Sequence, residues 1–328
     1  MLIDPFGRQL TYLRISVTDR CNFRCVYCMP GEGIPRKPHN DILRFEEIAE
    51  VVRVMADEGV TEVRLTGGEP LARADVTTLV RMLAGIPGIR DISLTTNGSL
   101  LEKMAFPLAE AGLKRINVSL DTLDEQKFQR ITRGGDLAQV LRGIYAAEDA
   151  GLTPIKVNVV AMRGVNDDEL VNLARLSLER PWQIRFIELM PIQNQAPWGE
   201  GFPLPAEMYM PLSEVRAALM ESGLESIRDK TGKGPAHEFR LKGAKGRVGF
   251  ISPISEEFCG LCNRLRLTAD GNLRPCLFHE VEIPLLKALR NHEPILPLIR
   301  EAVACKPVGY ELKMRQSPDD RYMTQIGG

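Results

Sequence analysis

The 328-residue sequence has no long hydrophobic run. No uncharged apolar stretch approaches the roughly 18 residues that a membrane-spanning helix needs. The N-terminal segment MLIDPFGRQL also lacks the basic start and apolar core of a secretion signal. We therefore expect a cytoplasmic protein with no membrane partner.

The sequence has no excess of charge of either sign. It contains 42 Lys and Arg against 43 Asp and Glu, a formal net charge of -1. This balance produces no global field that would attract nucleic acid, so we expect no nucleic-acid partner and only local anion sites. Low-complexity segments and tandem short repeats are also absent. The length and the 44% hydrophobic content suit one large domain with an extension, or two domains.

Cysteine is scarce, but its positions are clustered. The seven cysteines comprise a first cysteine set (Cys21, Cys25, Cys28), a second cysteine set (Cys259, Cys262, Cys276) and the single Cys305. In a chain without a secretion signal, clustered cysteines favour metal binding or catalysis over disulfides, and an odd count strengthens this preference. We expect Cys305 to be a small buried helix residue.

The first cysteine set has the spacing C-x-x-x-C-x-x-C, in DRCNFRCVYCMP, and no fourth ligand before His39. Structural zinc would need that fourth ligand. Three thiolates can instead hold three irons of a 4Fe-4S cluster and leave the fourth iron open to an exogenous ligand. Tyr27, next to the last cysteine, can cover the cluster or a bound ligand, or simply pack the loop.

The second cysteine set, in FCGLCNRLRLTADGNLRPC, has two interpretations. Its spacing suits an iron-sulfur cluster and also zinc, with Cys305, His279 or His237 as the fourth ligand. The following NRLRL favours a cluster beside a phosphate-bearing ligand. Arg264 and Arg266 share one face of a strand there, and two guanidiniums suit bidentate recognition of phosphate. A solvated pair of arginines is the alternative.

Strand-like runs alternate with helical patterns between residues 12 and 190. Six runs rich in β-branched residues, from TYLRISVT to QIRFIELM, are separated by stretches such as FEEIAEVVRVMADEG, which has apolar residues at helical spacing. We expect an α/β fold, an incomplete (β/α)6 barrel of the TIM type, over residues 1–205. Residues 206–328 predict an α+β module that has a hairpin turn at Asp270–Gly271 and closes the opening of the barrel.

One side of each predicted strand is polar, since alternate residues face opposite sides. Because the helices need the apolar side, the polar side faces the barrel interior, here called the lumen. It includes four lumen cations: Arg14, Arg64, Lys156 and Arg185. Burying unpaired cations together costs several kcal/mol, so we infer a buried phosphate-bearing substrate. The alternative is that these cations pair with Asp121 or Glu188, or point outward at strand ends.

The segment LTGGEP follows the second predicted strand, beside the first cysteine set. Two glycines at a strand end permit unusual dihedral angles and a close approach of the backbone to a ligand. A Gly-Gly pair alone is more often just a turn, so its value as a signal comes from its position.

These motifs resemble the radical S-adenosylmethionine superfamily, which combines C-x-x-x-C-x-x-C, an aromatic residue before the last cysteine, and GGEP after one β/α unit. Further stretches resemble the branch of the superfamily that cyclises GTP in the first step of molybdenum cofactor biosynthesis. They run in family order from Leu13 to Gly328 and include VRLTGGEP, INVSLDTLD, KVNVVAMRGVND, FCGLCNRLRLTADGNLRPCLF and the terminal IGG. The resemblance implies two 4Fe-4S clusters, S-adenosylmethionine as cofactor and GTP as substrate.

The resemblance also implies roles for individual residues. The open iron at the first cysteine set would bind S-adenosylmethionine, and the open iron at the second would meet the guanine of GTP. The implied contacts of S-adenosylmethionine are Tyr27, Gly68, Ser119 and Met190. The implied contacts of GTP are Arg14, Arg64, Thr95, Lys156, Arg264, Leu265 and Arg266. The implied catalytic residues are Arg14, Lys156, Arg185, Gly327 and Gly328.

The implied reaction is a radical cyclisation. Reductive cleavage of S-adenosylmethionine yields a radical that takes hydrogen from the ribose 3'-carbon, and this carbon then bonds to C8 of guanine. A further electron and a proton complete the product. The implied partners are an electron donor such as flavodoxin or ferredoxin, the next enzyme of the pathway, cyclic pyranopterin monophosphate synthase, and a second copy of the chain in a homodimer.

Met190 and the two terminal glycines depart from the simple strand pattern. Met190 differs in parity from Arg185, so the strand must bulge or end before it. Terminal glycines usually fray, but the resemblance implies that Gly327 and Gly328 reach the active site.

Two other functions are possible interpretations of the sequence. One alternative is a radical S-adenosylmethionine peptide maturase, which commonly has more cysteines in its C-terminal extension. The other is a non-catalytic zinc or iron-sulfur module, which would leave the lumen cations and GGEP unexplained.

Overall fold

The computed structural model describes residues 1–190, 198–199, 201–227, 235–256, 258–309 and 321–327. These residues contain a twelve-stranded sheet. Its strands are β1 (Tyr12–Ser16), β2 (Glu62–Thr66), β3 (Asp91–Thr96), β4 (Arg115–Ser119), β5 (Lys156–Ala161), β6 (Gln183–Glu188), β7 (Leu224–Ser226), β8 (His237–Leu241), β9 (Arg247–Ile251), β10 (Arg264–Leu267), β11 (Asn272–Arg274) and β12 (Ile283–Pro284).

At least one helix separates each pair of successive strands from β1 to β6, and four more described helices follow β6. They are α1 (Phe45–Asp57), α2 (Val76–Ala84), α3 (Leu101–Glu110), α4 (Glu125–Thr132), α5 (Leu137–Asp149), α6 (Leu170–Glu179), α7 (Pro205–Met208), α8 (Leu212–Glu221), α9 (Leu286–Arg290) and α10 (Leu296–Ala304). Among the described residues, none of these helices has the length and apolar character needed to cross a membrane.

The sheet confirms the incomplete barrel and extends it. Its order is β12-β11-β10-β1-β2-β3-β4-β5-β6-β9-β8-β7, and all neighbours from β10 to β9 run parallel. No pairing joins β12 to β7 within the described part of the chain, so the sheet stays open. The C-terminal segment therefore does more than cover the opening, because it adds one parallel strand and an antiparallel pair to each edge.

The predicted hairpin at Asp270–Gly271 is present, since β10 and β11 pair antiparallel around it. The strand β9 pairs antiparallel with β8 but parallel with β6. The helix α8 supplies part of the α component predicted for this module. The predicted domain boundary at residue 205 falls at the start of α7 and remains a prediction.

Helices form where an apolar stripe and a capping side chain coincide. In α5, the carboxylate of Asp136 accepts a hydrogen bond from the backbone N–H of Gln139 at the N-terminus. The residues Leu137, Val140 and Ile144 of this helix are buried at helical spacing. This face packs against the apolar side of the strands, which leaves the polar side of each strand to the lumen.

Candidate active site

The first cysteine set occupies the loop that follows β1, at the carboxyl end of the parallel strands. Backbone N–H groups of Cys28 and Met29 both donate to the carbonyl oxygen of Cys25, which turns the loop back on itself. The N–H groups of Arg24 and Val26 donate to carbonyls at the C-terminal end of α4. The three thiols are thus held by main-chain bonds on a well-anchored loop.

The three thiols are neighbours in a largely buried setting. Burial raises the pKa of Cys21 to about 11 and that of Cys28 to about 12. Burial, with Cys28 and Cys21 as neighbours, also raises the pKa of Cys25 well above its usual value. Three such thiols become thiolates together only with positive charge among them, which a cluster of several irons supplies.

A single metal ion fits neither cysteine set as placed. Within the described ranges, no three His, Cys, Asp or Glu side chains are grouped as ligands of one ion. The proposed zinc ligands of the second set are also separate. Cys305 is exposed, the Nδ1 of His279 accepts the N–H of Val281, and His237 lies in β8 beside the opposite edge of the sheet. Within the described ranges the structure therefore places none of these three side chains as a fourth ligand of the second cysteine set.

The expectation that Cys305 is a buried helix residue is wrong. The helix α10 ends at Ala304, and its buried side chains are Ile299, Ala302 and Val303. Cys305 caps the helix on the outer side and is exposed.

The second cysteine set has a buried cation that the sequence analysis missed. The ammonium of Lys306 donates to the Sγ of Cys262 at 3.7 Å. Burial alone would raise the pKa of Cys262, but Arg264 and Lys306 lower it to about 7. No motif marks Lys306, because its contacts come from residues that lie more than thirty positions away in the sequence.

The two glycines of GGEP are required by the cysteine loop itself. A Cβ on Gly67, where φ is +149°, would lie 2.4 Å from the carbonyl oxygen of Thr18, and one on Gly68 would lie 2.2 Å from that of Arg20. The N–H of Gly68 donates to Thr18 at 2.7 Å, and the N–H of Glu69 donates to Arg20 at 2.8 Å. The turn therefore supports the loop of the first cysteine set through backbone contact.

Gly68→Ala is expected to lower the free energy of unfolding by about 1 to 3 kcal/mol, because the added methyl group meets a backbone oxygen that cannot rotate away. Urea unfolding of the iron-free protein measures the change. Gly85→Ala is the matched control, since its Cβ would make only ordinary contacts, the nearest at 3.6 Å. A Gly68→Ala midpoint equal to that of the parent protein would contradict the close approach.

The two lumen carboxylates do not pair with the lumen cations. Asp121 accepts hydrogen bonds from the hydroxyl of Tyr27 at 2.6 Å and the N–H of Val160 at 2.8 Å. Glu188 accepts from the N–H groups of Ile254 and Ser255. Tyr27 is therefore fixed by Asp121, so it does more than fill space in the loop.

The cations line up across the strands of the barrel. Arg14 pairs in register with Arg64 on one side and with Arg266 on the other. Further along, Thr95, Asn117 and Lys156 occupy consecutive register positions. A second row is formed by Ser119, Asn158 and Arg185. The parity prediction for the lumen is thus confirmed.

These cations destabilise one another. Burial, Arg185 and other cations lower the pKa of Lys156 to about 6. Burial and a neighbouring arginine lower the pKa of Arg185 and of Arg266 to about 10. Of the acidic groups nearby, Asp91 already pairs with Arg115. Among described residues, no carboxylate forms an ion pair with any of Arg64, Lys156, Arg185 and Arg266.

Buried polar atoms without a described partner lie among the cations. They are the Oγ1 of Thr95 and the Oδ1 atoms of Asn117 and Asn158. A buried polar atom left unpaired costs about 1 to 3 kcal/mol. These three atoms and the four cations Arg64, Lys156, Arg185 and Arg266 on the lumen side of the sheet fit a polyanionic ligand with further hydrogen-bonding groups.

The C-terminal tail enters this region. The guanidinium of Arg266 donates to the carbonyl oxygens of Ile326 at 3.2 Å and Gly327 at 2.6 Å. Gly327 has φ +69°, and a Cβ there would lie 2.8 Å from the Cγ2 of Thr66, so this position favours glycine. Ile326 packs beside Cys28. Gly328 lies outside the described residues.

Arg321 anchors the tail, and the sequence analysis missed it. Its guanidinium donates to both carboxylate oxygens of Asp270 and of Glu282, with the shortest bond, 2.7 Å, to Glu282. Asp270 also pairs with Lys37, from the segment after the first cysteine set. One carboxylate thus ties the tail, the β10–β11 turn and the cysteine loop together.

Family comparisons decide between the alternatives. Residues 15–177 match the model of the radical SAM superfamily, and residues 182–312 match the model named Molybdenum Cofactor Synthesis C. The GTP 3',8-cyclase of Moorella thermoacetica is 52% identical to this chain over 331 residues, which cover 99% of both chains. The GTP 3',8-cyclase of Pelotomaculum thermopropionicum is 52% identical over 330 residues, which also cover 99% of both chains. This chain belongs to the GTP 3',8-cyclase family. It is therefore an enzyme of the radical S-adenosylmethionine class, and the non-catalytic module is excluded.

A solved structure agrees with the fold of this cyclase family member. Streptococcus suis SuiB bound to S-adenosylmethionine superposes with a TM-score of 0.61 at 16% identity, and the match covers 95% of this chain and 76% of that chain. At this identity the likeness shows the fold alone. The family chemistry requires a 4Fe-4S cluster and S-adenosylmethionine, and GTP 3',8-cyclases carry two clusters.

The remaining residues expected to serve this family's reaction have definite places. Ser119 ends β4, and Met190 lies beyond the end of β6, as its parity requires, and packs near Cys28. The guanidinium of Arg264 lies 5.0 Å from the ring centre of Phe258. The side chain of Leu265 is in the apolar core, so a contact between this residue and a nucleotide would use its main chain. Their roles remain predictions.

Proposed function

We propose that this chain converts GTP to (8S)-3',8-cyclo-7,8-dihydroguanosine 5'-triphosphate, the first step of molybdenum cofactor biosynthesis. The observation that carries this proposal is a set of buried cations between two incomplete cysteine sets for which no ion pair with a described carboxylate is present: Arg64, Lys156, Arg185 and Arg266. A triphosphate supplies the missing negative charge, and a guanine and a ribose use the hydrogen-bonding groups around it. A peptide substrate would leave these cations unneutralised.

The first cysteine set would hold one cluster, with S-adenosylmethionine on its open iron. When bound, this cofactor pair supplies the radical that removes the hydrogen atom from the ribose 3'-carbon. Tyr27, held by Asp121 at 2.6 Å, would orient the cofactor together with Gly68, Ser119 and Met190.

The lumen cations would hold the triphosphate and so fix the ribose. Arg14, Arg64 and Lys156, with Thr95, would bind phosphate and sugar oxygens, and Arg185 would act beside them. Each charge-assisted bond contributes about 1.5 to 3 kcal/mol. Anchoring by several bonds keeps the 3'-carbon within reach of the radical and of C8 of the guanine, and ring closure needs such proximity.

The second cysteine set would hold a cluster that meets the guanine, with Arg264, Leu265 and Arg266 beside it. Gly327 and Gly328 would close the lumen at the end where the first cysteine set lies, which excludes water and quenchers. The proposal includes two partner proteins: an electron donor such as flavodoxin or ferredoxin, and cyclic pyranopterin monophosphate synthase, which would consume the product. The chain would act as a homodimer in the cytoplasm. Residues 1–205 and 206–328 would be its two domains.

Anaerobic reconstitution followed by turnover tests the function. We expect about eight irons and eight sulfides per chain, as two 4Fe-4S clusters require. Incubation with GTP, S-adenosylmethionine and a strong reductant should consume GTP and give a cyclised nucleotide by mass analysis, and Cys28→Ala should give none. Cleavage of S-adenosylmethionine without any change in the nucleotide, when the clusters are intact, would contradict the proposal.

A further inference from the structure

Lys306 occupies an unusual position for a lysine. Its side chain is buried, with 3% of the residue exposed, and its ammonium has three described acceptors. They are the carbonyl oxygens of Arg264 and Pro275, each at 2.7 Å, and the Sγ of Cys262 at 3.7 Å. An ammonium has three N–H bonds, so these acceptors match its donors one for one.

The three acceptors belong to both halves of the second cysteine set. Cys262 and Arg264 come from the cysteine loop and the start of β10, whereas Pro275 immediately precedes Cys276. Thirteen residues separate Cys262 from Cys276 in the sequence. Lys306 therefore joins the two segments on which a cluster at this site depends.

The charge of Lys306 lacks a carboxylate partner within the described ranges. Arg8 offers a direct contrast at the same site. Its guanidinium donates to the carbonyl oxygen of Cys259 at 2.7 Å, but it also pairs with Asp4 at 2.5 Å. Both residues hold backbone around the second cysteine set. Lys306 directs at a thiol of that set a positive charge that no described carboxylate neutralises, and Arg264 adds a second cation beside the same thiol.

We propose that Lys306 positions the second cysteine set and serves as the counter-cation of the cluster it holds, raising the reduction potential of that cluster. The inference rests on the proposed function only in requiring a cluster at this site. Proteins set the reduction potential of a cluster through hydrogen bonds to its sulfurs and through the net charge near it. A buried cation stabilises the reduced cluster, which is the more negative form, because few water molecules screen it.

The test uses the full chain with Cys21, Cys25 and Cys28 replaced by serine, so that only the second site takes up iron. In this parent, Lys306→Met, Lys306→Arg and Arg8→Met are compared. The readouts are iron content, the rate of iron loss to a chelator, and the midpoint potential from a redox titration followed by electron paramagnetic resonance. None of these readouts depends on GTP turnover, so failure of the inference is distinguishable from failure of the proposed function.

Lys306→Met is expected to lower the midpoint potential and to speed iron loss. Lys306→Arg keeps the charge and should retain a potential closer to that of the parent. Arg8→Met should speed iron loss but leave the potential nearly unchanged, because Asp4 already neutralises that cation. The counter-cation role would be overturned if Lys306→Met kept the midpoint potential of the parent. It would also be overturned if Lys306→Arg lowered the midpoint potential as much as Lys306→Met does.

Failure of Lys306→Met to take up iron would also be informative. Iron uptake by Lys306→Arg would then support the inference, since a cation with the same reach restores the site. Failure of both variants, with the iron-free chains melting below the iron-free parent, would show that Lys306 serves the fold and would overturn the proposal.

Discussion

Lys156→Met is expected to weaken GTP binding while stabilising the ligand-free protein. In the ligand-free lumen, Lys156 faces other cations, and no described carboxylate pairs with it. Replacing a buried charge by an apolar side chain of similar volume often stabilises a protein by about 1 to 4 kcal/mol. Loss of a charge-assisted bond to phosphate costs about 1.5 to 3 kcal/mol, which corresponds to a 10- to 150-fold weaker affinity. The two effects therefore have opposite signs.

Calorimetric titration with GTP and urea unfolding without GTP measure the two effects. Lys103→Met is the matched control, because Lys103 is exposed on α3, outside the lumen, and should change neither quantity. A purely structural role for Lys156, as the partner of a carboxylate, predicts the reverse pattern. Unchanged GTP affinity together with lower stability in Lys156→Met would establish that alternative.

The same variant gives a pH test with a defined sign. The pKa of Lys156 is lowered to about 6 in the ligand-free protein, so this group is largely neutral at pH 8. A bound triphosphate favours the protonated form and raises that pKa, so GTP binding above pH 6 takes up a proton. The contribution of Lys156 to affinity should therefore weaken as the pH rises from 6 to 8. Lys156→Met should lack that contribution to the pH dependence.

Arg321→Ala is expected to reduce cyclisation about tenfold or more while both clusters assemble normally. Removing a partner of a hydrogen-bonded ion pair costs roughly 1.5 to 3 kcal/mol, and Arg321 supplies four bonds from the tail to Asp270 and Glu282. Without them, Gly327 would not be held beside Thr66 and Arg266. Product formation and iron content, measured on the same preparation, separate loss of the tail from loss of the clusters.

Two further variants sharpen this prediction. Arg321→Lys keeps part of the ion pairing and should retain intermediate activity, which a residue with no role in tail position would not show. Addition of one residue after Gly328 should also reduce cyclisation with both clusters intact. Full activity in Arg321→Ala and in the extended protein would contradict a functional tail.

The sequence predicts the parts of this molecule that follow local rules. Strand parity alone placed Arg14, Arg64 and Lys156 in the lumen, because side chains alternate along every strand. The loop spacing of the first cysteine set indicated a site with one open position. The end of β6 before Met190 followed from parity as well. Each of these inferences needs only a few neighbouring residues.

The contacts that the sequence did not predict join distant segments. Lys306 and Arg321 carry no motif, and their partners lie between 31 and 51 positions away in the sequence. The parallel pairing of β9 and β10 with opposite edges of the barrel is also a long-range choice, which periodicity cannot determine. The close approach behind Gly67 and Gly68 depends on the folded cysteine loop.

The most direct test of the account follows the hydrogen atom of the ribose. Turnover with GTP deuterated at the 3'-carbon, S-adenosylmethionine and a strong reductant yields 5'-deoxyadenosine, whose deuterium content is read by mass spectrometry. If the lumen cations place that carbon beside the cofactor at the first cysteine set, the 5'-deoxyadenosine should contain the deuterium. Unlabelled 5'-deoxyadenosine, formed together with a cyclised nucleotide, would contradict the placement of GTP between the two cysteine sets.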